Sequence, residues 1–175
     1  MSHRNRDRLE FSTSPSCIGM LLVATGDSGV VAVLIGESGA ELLSDLRQRF
    51  PNATLVSGGS GIAPVMGAVL KAIEDPSSPS DIALDLRGTS FQQRVWNALR
   101  AVPAGETPTY RDIANAIGAP RSVRAVAAAC AANPVAVLVP CHRVIRGDGS
   151  LAGYRWGLDR KRELLARERA FALAA

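Results

Sequence analysis

The stretch that decides the fold is residues 110–144, "YRDIANAIGAPRSVRAVAAACAANPVAVLVPCHRV". It predicts a short helix over 110–117, stopped by a glycine, and a second helix over 120–132 with a proline in its first position. Two helices joined by a short glycine-containing turn are the pattern of a helix-turn-helix. The run "VAVLVP", residues 135–140, is apolar enough for a buried strand and ends directly at Cys141. We therefore expect a helix-turn-helix unit that is followed, after one buried segment, by a cysteine.

The second of these helices has few side chains with which to recognise a base sequence. Apart from Arg121, Ser122 and Arg124 it contains little but alanine, valine and cysteine. Side chains that read bases in the major groove are normally Asn, Gln, Arg or Lys. Small residues such as Ala125 instead allow the helix backbone to approach a narrow groove, with one arginine available to enter the base stack. We expect these four residues to contact DNA; an alanine-rich helix packed in a tight core is the alternative that this segment leaves open.

The first half of the chain predicts a small α/β unit. Residues 17–36 contain two apolar, β-branched runs around a Gly-Asp-Ser-Gly turn, which is typical of a β-hairpin. Helical spacing of apolar residues follows over 38–50 and 63–75, and the Gly- and Ser-rich segment between these two helices predicts a loop. A short strand is predicted over 82–86, after an irregular segment at "PSSPSD", residues 76–81.

A second domain is predicted to begin near residue 88. A new amphipathic helix starts at Ser90, with Ser90 and Gln93 as its predicted capping box. The chain closes with an arginine-rich helix that Asp159 can cap. We therefore divide the chain into domains 1–87 and 88–175.

Charge is distributed unevenly between these two halves. Residues 1–87 contain seven Lys or Arg and ten Asp or Glu, about −3, whereas residues 88–175 contain thirteen and six, about +7, which together give the net charge of +4 of the chain. An arginine-rich half favours a polyanionic partner, because guanidinium groups pair well with phosphate; a merely solvated surface is the alternative. No run of eighteen apolar residues exists, and the polar N-terminus lacks the apolar segment of a secretory signal. We expect a cytoplasmic protein without a membrane partner.

Cys141 and His142 admit several interpretations. A buried, inert thiol is the simplest. A zinc site needs about four ligands, and only His3, Cys17 and Cys130 remain to complete one, so we expect no metal. A cysteine protease is disfavoured because the histidine is adjacent to the cysteine and faces the opposite side of an extended segment. A reactive thiolate is the interpretation we favour, since the neighbouring arginines are expected to lower the pKa of the thiol.

With these residues assembled, the chain resembles the O6-alkylguanine-DNA alkyltransferases, and most closely the C-terminal alkyltransferase domain of adaptive-response regulators. The segments that carry the resemblance are "RGTSFQQRVWNALRAVPAGETPTYRDIANAIG", "RAVAAACAANPVAVLVPCHRVIRGDGSLAGYRWG" and "RKRELL". The PCHRV core, the upstream asparagine, the Gly-Tyr loop and the helix-turn-helix occur in the family's order. The first half is similar in layout more than in motif.

The resemblance implies a catalytic role for five residues. Cys141 matches the acceptor that takes the alkyl group from the base oxygen in an in-line displacement. His142 matches the residue that withdraws the thiol proton through a water, and Glu168 matches the carboxylate that polarises that histidine. Asn133 matches the residue that braces the active-site turn, and Tyr110 matches the phenol that hydrogen-bonds the guanine ring nitrogen. Each of the last three also has a plain structural interpretation: a surface pair for Glu168, a helix cap for Asn133 and a packing contact for Tyr110.

The resemblance also implies residues that bind the flipped base. Arg124 matches the arginine that fills the gap in the duplex, and Val144, with the acceptor cysteine, matches a backbone carbonyl that receives the guanine amino group. Arg155 follows Tyr154 where the family places a backbone amide near the alkylated oxygen. Trp156 stands where some relatives have glycine, and we expect its indole to narrow the pocket.

Two further expectations concern Cys130 and metal. Cys130 lies on an apolar helical stripe and is expected to pack near the pocket without reacting. Some family members carry a zinc centre in the N-terminal domain; this chain lacks the two cysteines and two histidines required there, so we expect no metal and no cofactor.

The implied fold is α+β, with an N-terminal ribonuclease-H-like α/β domain that has a small antiparallel sheet and a C-terminal winged-helix-like domain with the helix-turn-helix and the active site. The implied function is DNA repair by a monomer that irreversibly transfers the alkyl group of O6-alkylguanine, and of O4-alkylthymine as a further candidate, from double-stranded DNA to its cysteine. In a bacterium such a protein is expected at the nucleoid. Two rivals are an alkyltransferase-like binding protein, which lacks the cysteine, and a plain helix-turn-helix regulator.

Overall fold

The computed structural model describes residues 7–77 and 81–174. Its elements in chain order are β1 (Arg8–Ser16), β2 (Gly19–Gly26), β3 (Gly29–Gly36), α1 (Gly39–Arg49), β4 (Thr54–Ser57), α2 (Ile62–Glu74), α3 (Ser90–Arg100), α4 (Tyr110–Ala116), α5 (Val123–Ala131), a 3₁₀ turn (Cys141–Arg143) and α6 (Leu158–Ala174). The predicted α+β class is confirmed. His3, and residues 78–80 of the irregular segment predicted over 76–81, lie outside the described residues.

The sheet is mixed, with the strand order β3-β2-β1-β4. β2 and β3 form the predicted antiparallel hairpin, and β1 pairs antiparallel with β2 but parallel with β4. The expectation of an antiparallel sheet is therefore wrong at one edge. Helices α1 and α2 pack on this sheet and bury its apolar side chains.

Two elements of the first half differ from the sequence prediction. β1 occupies a segment that alternates polar and apolar residues too weakly to be recognised as a strand, and it is held by pairing on both sides. β4 forms inside the predicted loop because its backbone completes the ladder with β1. The strand predicted over 82–86 is reduced to a single bridge between Leu84 and Val30.

The outer edge of β3 anchors the segment that leads to the cysteine. The Val33 amide donates to the Pro134 carbonyl at 3.0 Å, and the Ala136 amide donates to the Val33 carbonyl at 2.9 Å. Val137 then adopts a φ of 67°, a left-handed conformation that a β-branched residue rarely takes. The predicted strand over 135–140 is therefore wrong: it is one bridge, after which the backbone turns away from the sheet towards Cys141.

Helices α3, α4 and α5 pack against one another, and α4 and α5 form the predicted helix-turn-helix. Trp96 of α3 is buried, and its indole N–H donates to the Ala129 carbonyl of α5 at 2.9 Å. The capping box of α3 is formed by Thr89 and Gln92, one residue earlier than predicted. The second helix starts at Val123 rather than at residue 120, because Ser122 has a non-helical backbone (φ −99°, ψ 28°).

Helix α6 delivers charged side chains to the interior. The residues that it buries recur at helical spacing: Lys161, Leu164, Leu165 and Glu168. α6 contacts the 3₁₀ turn of Cys141 through this face. Asp159 is the second residue of α6 and not its cap, so that prediction is wrong; its carboxylate lies in the first turn and accepts from Arg162 at 2.6 Å. Among the described residues, no helix is both long and apolar enough to cross a bilayer. The domain boundary at 87/88 and the ribonuclease-H-like and winged-helix-like descriptions stay predictions.

Candidate active site

Asn133 holds the cysteine turn in place. Its side-chain amide donates to the Val139 carbonyl at 2.9 Å and lies 3.2 Å from Cys141 Sγ, and its Oδ1 accepts from the Val135 amide at 2.9 Å. Asn133 is fully buried, so these contacts fix both ends of the segment that turns off the sheet. The N–H that points at sulfur stabilises a thiolate more than a thiol. The sequence predicted a bracing asparagine here, and the structure places one against the sulfur.

His142 and Glu168 form a buried pair beside the cysteine. His142 Nε2 lies 2.7 Å from Glu168 Oε1, and both side chains are at most 3% exposed. The ionised carboxylate of Glu168 can only accept a hydrogen bond, so the nitrogen that faces it, Nε2, carries the proton. Nδ1 of the neutral ring is then left with a free lone pair. Nδ1 is buried and has no hydrogen-bond partner among the described residues. The pair therefore provides an oriented, neutral base. A surface pair for Glu168 is excluded by its burial.

Glu168 is also held by Arg143, which was expected from the sequence to act on the Cys141 thiol. Arg143 Nε lies 3.0 Å from both carboxylate oxygens, and Nη2 lies 2.9 Å from Oε1. Arg143 Nη1 donates to the Val102 carbonyl, and the Gly105 amide donates to Glu168 Oε2 at 3.2 Å. Burial alone raises the pKa of Glu168, but the hydrogen bonds from His142 and Arg143 outweigh it and lower the pKa to about 2. The carboxylate is ionised at neutral pH.

The pKa of Cys141 corrects one sequence prediction. Burial raises the pKa of this thiol to about 11, against smaller opposing effects of the Asn133 hydrogen bond and the charge of Lys161. The expected lowering by neighbouring arginines is wrong, because Arg143 points at the Glu168 carboxylate and the side chain of Arg146 is exposed. Burial also lowers the pKa of His142, more than its hydrogen bond to Glu168 raises it. Cys141 is thus a thiol at rest that requires a base, and a neutral base is next to it.

A cavity of about 540 Å³ opens onto Cys141. Its lining residues are Tyr110, Ala127, Cys130, Ala131, Cys141, Arg146, Ala152, Gly153, Tyr154 and Arg155. The sulfur lies at the buried end, since Cys141 is 5% exposed, whereas Arg146 and Arg155 are exposed at the rim. Burial raises the pKa of Tyr110 to about 12, so its phenol remains a hydrogen-bond donor at neutral pH.

Most of the residues predicted to bind the base line this cavity, but two do not. Trp156 packs edge-on against Tyr154, with ring centroids 5.3 Å apart, and lines a different cavity beside Cys17. It therefore supports the cavity wall from behind and does not narrow the opening by itself. Val144 is fully buried, and its carbonyl already accepts from Lys161 Nζ at 2.7 Å. Cys130 lines the cavity and is buried, and burial raises its pKa to about 12.

The residues predicted to contact DNA lie at the start of α5 and just before it. Arg121, Arg124 and Ala125 are exposed and Ser122 is half-buried. Neither arginine has a hydrogen bond or ion pair with any residue that the structure describes. The exposed face of α5 continues from Arg124 and Ala125 through two further alanines to the cavity wall at Ala131. The buried face of the same helix meets α3, so the tight-core alternative describes only one side of α5.

Two residues near the site were missed from the sequence. Lys161 is fully buried, and its position on the same helical stripe as Glu168 was the signal that predicts this. Asp45 of α1 accepts from Arg155 at 3.3 Å and ties the base-binding loop to the first half of the chain; the sequence carries no signal for that contact. Within 7–77 and 81–174, no group of three or more His, Cys, Asp and Glu side chains is arranged to hold a metal ion.

Comparison with known proteins identifies relatives that match most of the chain. The model of the family "6-O-methylguanine DNA methyltransferase, DNA binding domain" matches residues 90–170. The chain is 49% identical over 151 residues to the bifunctional transcriptional activator/DNA repair enzyme Ada of Escherichia coli, covering 86% of this chain and 43% of that protein. It is 44% identical over 129 residues to the inducible methylated-DNA–protein-cysteine methyltransferase of Bacillus subtilis, covering 74% of this chain and 72% of that protein.

A solved structure agrees over nearly the whole length. The crystal structure of Mycobacterium tuberculosis OGT in complex with DNA superposes with a TM-score of 0.78 at 36% identity and covers 94% of both chains. The chain spans less than half the length of the Escherichia coli relative, yet nearly all of the mycobacterial one. The family resemblance stated from the sequence is confirmed. The matched segment contains the helix-turn-helix, the cysteine turn and Glu168, and the chain belongs to the 6-O-methylguanine DNA methyltransferase family.

Proposed function

We propose that this chain repairs double-stranded DNA by transferring the alkyl group of O6-alkylguanine to Cys141, once per protein molecule. The observation that carries the proposal is the position of the Cys141 sulfur. It lies at the buried end of a cavity, 3.2 Å from the Asn133 amide, and the next residue in the chain, His142, forms the buried pair with Glu168. A merely structural thiol needs neither an oriented base nor an open cavity beside it.

The substrate base has to leave the duplex to reach this sulfur. The alkyl carbon bonded to O6 is inaccessible inside stacked DNA. Extruding the nucleotide costs a few kcal/mol, which a fitted pocket and an inserted side chain offset. The exposed face of α5 fits a narrow groove, because its alanines allow the backbone to come close. Arg124, at the start of that face, is positioned to fill the gap. Phosphate contacts by Arg121 and the Ser122 segment hold the protein on the backbone.

The transfer needs one proton to leave the thiol. A water that bridges Cys141 Sγ to His142 Nδ1 moves this proton, since Nδ1 is the unprotonated ring nitrogen. Glu168 stabilises the resulting imidazolium through Nε2–H, as expected for a carboxylate with a pKa of about 2. The Asn133 amide stabilises the thiolate that is left. The His142–Glu168 pair and the Asn133 amide together offset the free-energy cost of ionising a thiol with a pKa of about 11.

The alkyl group then moves from the base oxygen to the sulfur by an in-line displacement. The sulfur forms a bond to the alkyl carbon while the bond between that carbon and O6 breaks and its electron pair stays on the oxygen. Tyr110 donates a hydrogen bond to the guanine ring nitrogen and so stabilises the departing guanine anion. The anion takes up a proton from solvent and leaves as a neutral base, while the His142 imidazolium releases the former thiol proton to solvent.

The Cys141 carbonyl accepts from the guanine amino group, and Val144 takes part only through the second lone pair of its carbonyl, since Lys161 Nζ occupies the first. The Arg155 backbone amide, after Tyr154, faces the departing oxygen. The product thioether has no thiol that can resolve it, which makes the protein a stoichiometric acceptor.

Several parts of the proposal concern context. The partner is DNA that carries O6-alkylguanine; O4-alkylthymine presents the same type of carbon–oxygen bond. The mycobacterial structure with DNA supports this partner. We propose that the protein acts as a monomer, without cofactor or metal, at the nucleoid in the cytoplasm of a bacterial cell, since that is where the chromosome lies.

Mass spectrometry after mixing with a methylated oligonucleotide tests the proposal. One methyl group on the Cys141 peptide is expected, with none on Cys17 or Cys130. Cys141→Ala should abolish the gain and retain binding to the damaged duplex. Binding without any gain in mass by the wild-type chain identifies a lesion-binding protein instead, and binding that ignores the lesion identifies a regulator; either result overturns the proposal.

A further inference from the structure

The base-binding loop, residues 152–157, ends in a tight turn that one arginine holds from behind. The Gly157 amide donates to the Tyr154 carbonyl at 3.0 Å, which closes this turn. Inside the turn, the Trp156 carbonyl accepts from Arg160 Nη1 at 2.9 Å. Arg160 lies in the first turn of α6 and is not among the residues that line the cavity of the sulfur. Its guanidinium therefore acts on the loop from outside the cavity.

The same guanidinium binds the first half of the chain. Its Nε donates at 2.8 Å to the Ile18 carbonyl, in the turn between β1 and β2, and its Nη2 pairs with the Glu37 carboxylate, which follows β3. Each of the three nitrogens of Arg160 therefore has its own partner, and the partners come from three separate segments. A planar guanidinium can hold three such groups in one geometry, whereas a lysine carries all its donors on a single atom.

The backbone at Gly19 leaves room for this side chain. Gly19 has a φ of 118°, and a β-carbon there would lie 3.0 Å from Arg160 Nη2 and 2.9 Å from the Gly36 carbonyl oxygen. Both distances are too short for an ordinary contact, so the guanidinium occupies its position only because this residue has no side chain. The Arg160 side chain is 20% exposed. The contact between α6 and the β1–β2 turn is thus a fitted one and not a loose surface pair.

The position of Arg160 affects the cavity wall through two aromatic rings. Trp156 packs edge-on against Tyr154, with 5.3 Å between the ring centroids, and Tyr154 lines the cavity. Burial and the nearby Cys141 raise the pKa of Tyr154, and the charge of Arg160 opposes them, so the guanidinium lies within electrostatic reach of the phenol. A shift of the Trp156 backbone would therefore move the ring that forms the wall.

We propose that Arg160 is a positioning residue for the alkyl transfer: it fixes the base-binding loop against the β1–β2 turn, and so holds the Tyr154 ring and the Arg155 amide where the extruded base is bound. It acts through the loop and does not touch the base. The proposal rests on the proposed function, since it concerns the same site. It also assigns a role to the first half of the chain, which supplies the surface on which the loop is fixed.

Solvent exchange of the two indole N–H groups tests this role without DNA. Trp156 Nε1 is buried and has no hydrogen-bond partner among the described residues, whereas Trp96 Nε1 donates to the Ala129 carbonyl. In the full chain labelled with ¹⁵N-tryptophan, Arg160→Gln should accelerate exchange of the Trp156 indole at least about tenfold, because the loop opens locally, and that of Trp96 less than about twofold. Trp156→Phe assigns the two NMR signals.

Arg162→Gln is the matched control, because it makes the same substitution two residues away on the same helix. Arg162 is exposed and pairs with Asp159 at 2.6 Å, so both indoles should exchange as they do in the wild-type chain. Equal acceleration of both indoles in Arg160→Gln indicates a loss of global stability and overturns the proposal. An unchanged exchange rate at Trp156 overturns it as well.

Methyl transfer separates the position of the loop from the reactivity of the thiol. Arg160→Gln should slow single-turnover transfer from a saturating methylated duplex at least about fivefold, because a misplacement of about 1 Å can cost about a hundredfold in rate. Labelling of Cys141 by iodoacetamide should stay within about twofold of wild type, since the Asn133 and Glu168 contacts of the cysteine turn are retained. Equal slowing of both reactions overturns the proposal, as does transfer at the wild-type rate.

Arg160→Lys covers the case in which Arg160→Gln does not fold. A lysine keeps the charge but cannot place separate nitrogens against the three partners, so exchange at Trp156 should still accelerate by at least about threefold, with Trp96 unchanged. Wild-type exchange of Trp156 in this variant overturns the proposal. If the wild-type chain accepts no methyl group from DNA, the proposed function fails, whereas the indole exchange rates still decide whether Arg160 holds the loop.

Discussion

Replacing Glu168 by glutamine removes one negative charge from the interior and keeps its shape. The carboxylate receives His142 Nε2 at 2.7 Å, three contacts from Arg143 between 2.9 and 3.0 Å, and the Gly105 amide at 3.2 Å. A neutral amide offers one acceptor oxygen and places an N–H against donors. The guanidinium of Arg143, which is only 12% exposed, is then left without its counter-charge.

The size of the effect follows from the pKa of the carboxyl group. A value of about 2 in the folded protein, against 4.5 for a free glutamate, corresponds to about 3 kcal/mol in favour of the ionised form. Because the folded pKa is the lower one, this stabilisation is complete above about pH 5 and is lost as the pH falls towards 2. Removing one partner of a buried ion pair typically costs about 3–5 kcal/mol, which agrees. We expect Glu168→Gln to lower the free energy of unfolding by about 3 kcal/mol at pH 7.

Urea denaturation at pH 7 measures this difference, with Glu163→Gln as the control. Glu163 lies on the same helix and pairs with Arg167 at 2.7 Å, but both side chains are solvent-accessible, 47% and 33% exposed. A surface pair of this kind contributes about 0.5 kcal/mol or less. If the two variants lie within about 1 kcal/mol of each other, the buried charge does not stabilise the fold and the reasoning fails. Methyl transfer by Glu168→Gln should also slow at least about tenfold, because the imidazolium loses its carboxylate.

Three further predictions concern the cysteine turn and the DNA surface. Labelling of Cys141 by iodoacetamide should accelerate about tenfold per pH unit from pH 8 to pH 10, since the thiolate fraction grows in that way below a pKa of about 11; a plateau before pH 9 contradicts the assigned pKa. Asn133→Ala should lower the unfolding free energy by about 2–4 kcal/mol in urea, because the buried Val135 amide and Val139 carbonyl lose their partner; a loss below about 1 kcal/mol shows that the turn holds without it. In a Cys141→Ala background, Arg124→Ala should weaken binding to a lesion-containing duplex, measured by fluorescence anisotropy, by at least about fivefold and leave the unfolding midpoint unchanged. Equal binding with and without the guanidinium excludes its insertion into the base stack.

The sequence alone determined the helices and the order of the motifs. Apolar spacing located α1, α2, α3 and α4 to within a few residues, because helix formation depends on local periodicity and local capping. The hairpin was visible for the same reason, since its turn and its β-branched runs are adjacent in the chain. The identities of the chemical groups, a thiol beside an imidazole after an upstream asparagine, were also explicit in the sequence.

Tertiary structure decided where weak strands form and what the charged groups do. β1 and β4 depend on pairing partners distant in sequence, and the segment after Asn133 is shaped by the edge of β3, so local composition did not predict them. The arginines beside Cys141 were expected to activate it, yet one is neutralised by a glutamate that follows it by 25 residues, and burial raises the pKa of the thiol instead. Lys161 gains its position only because α6 packs its inner face against the cysteine turn. Local periodicity is encoded by neighbours in the chain, whereas a pKa depends on every charge and on the solvent within a few ångströms, which only the folded chain defines.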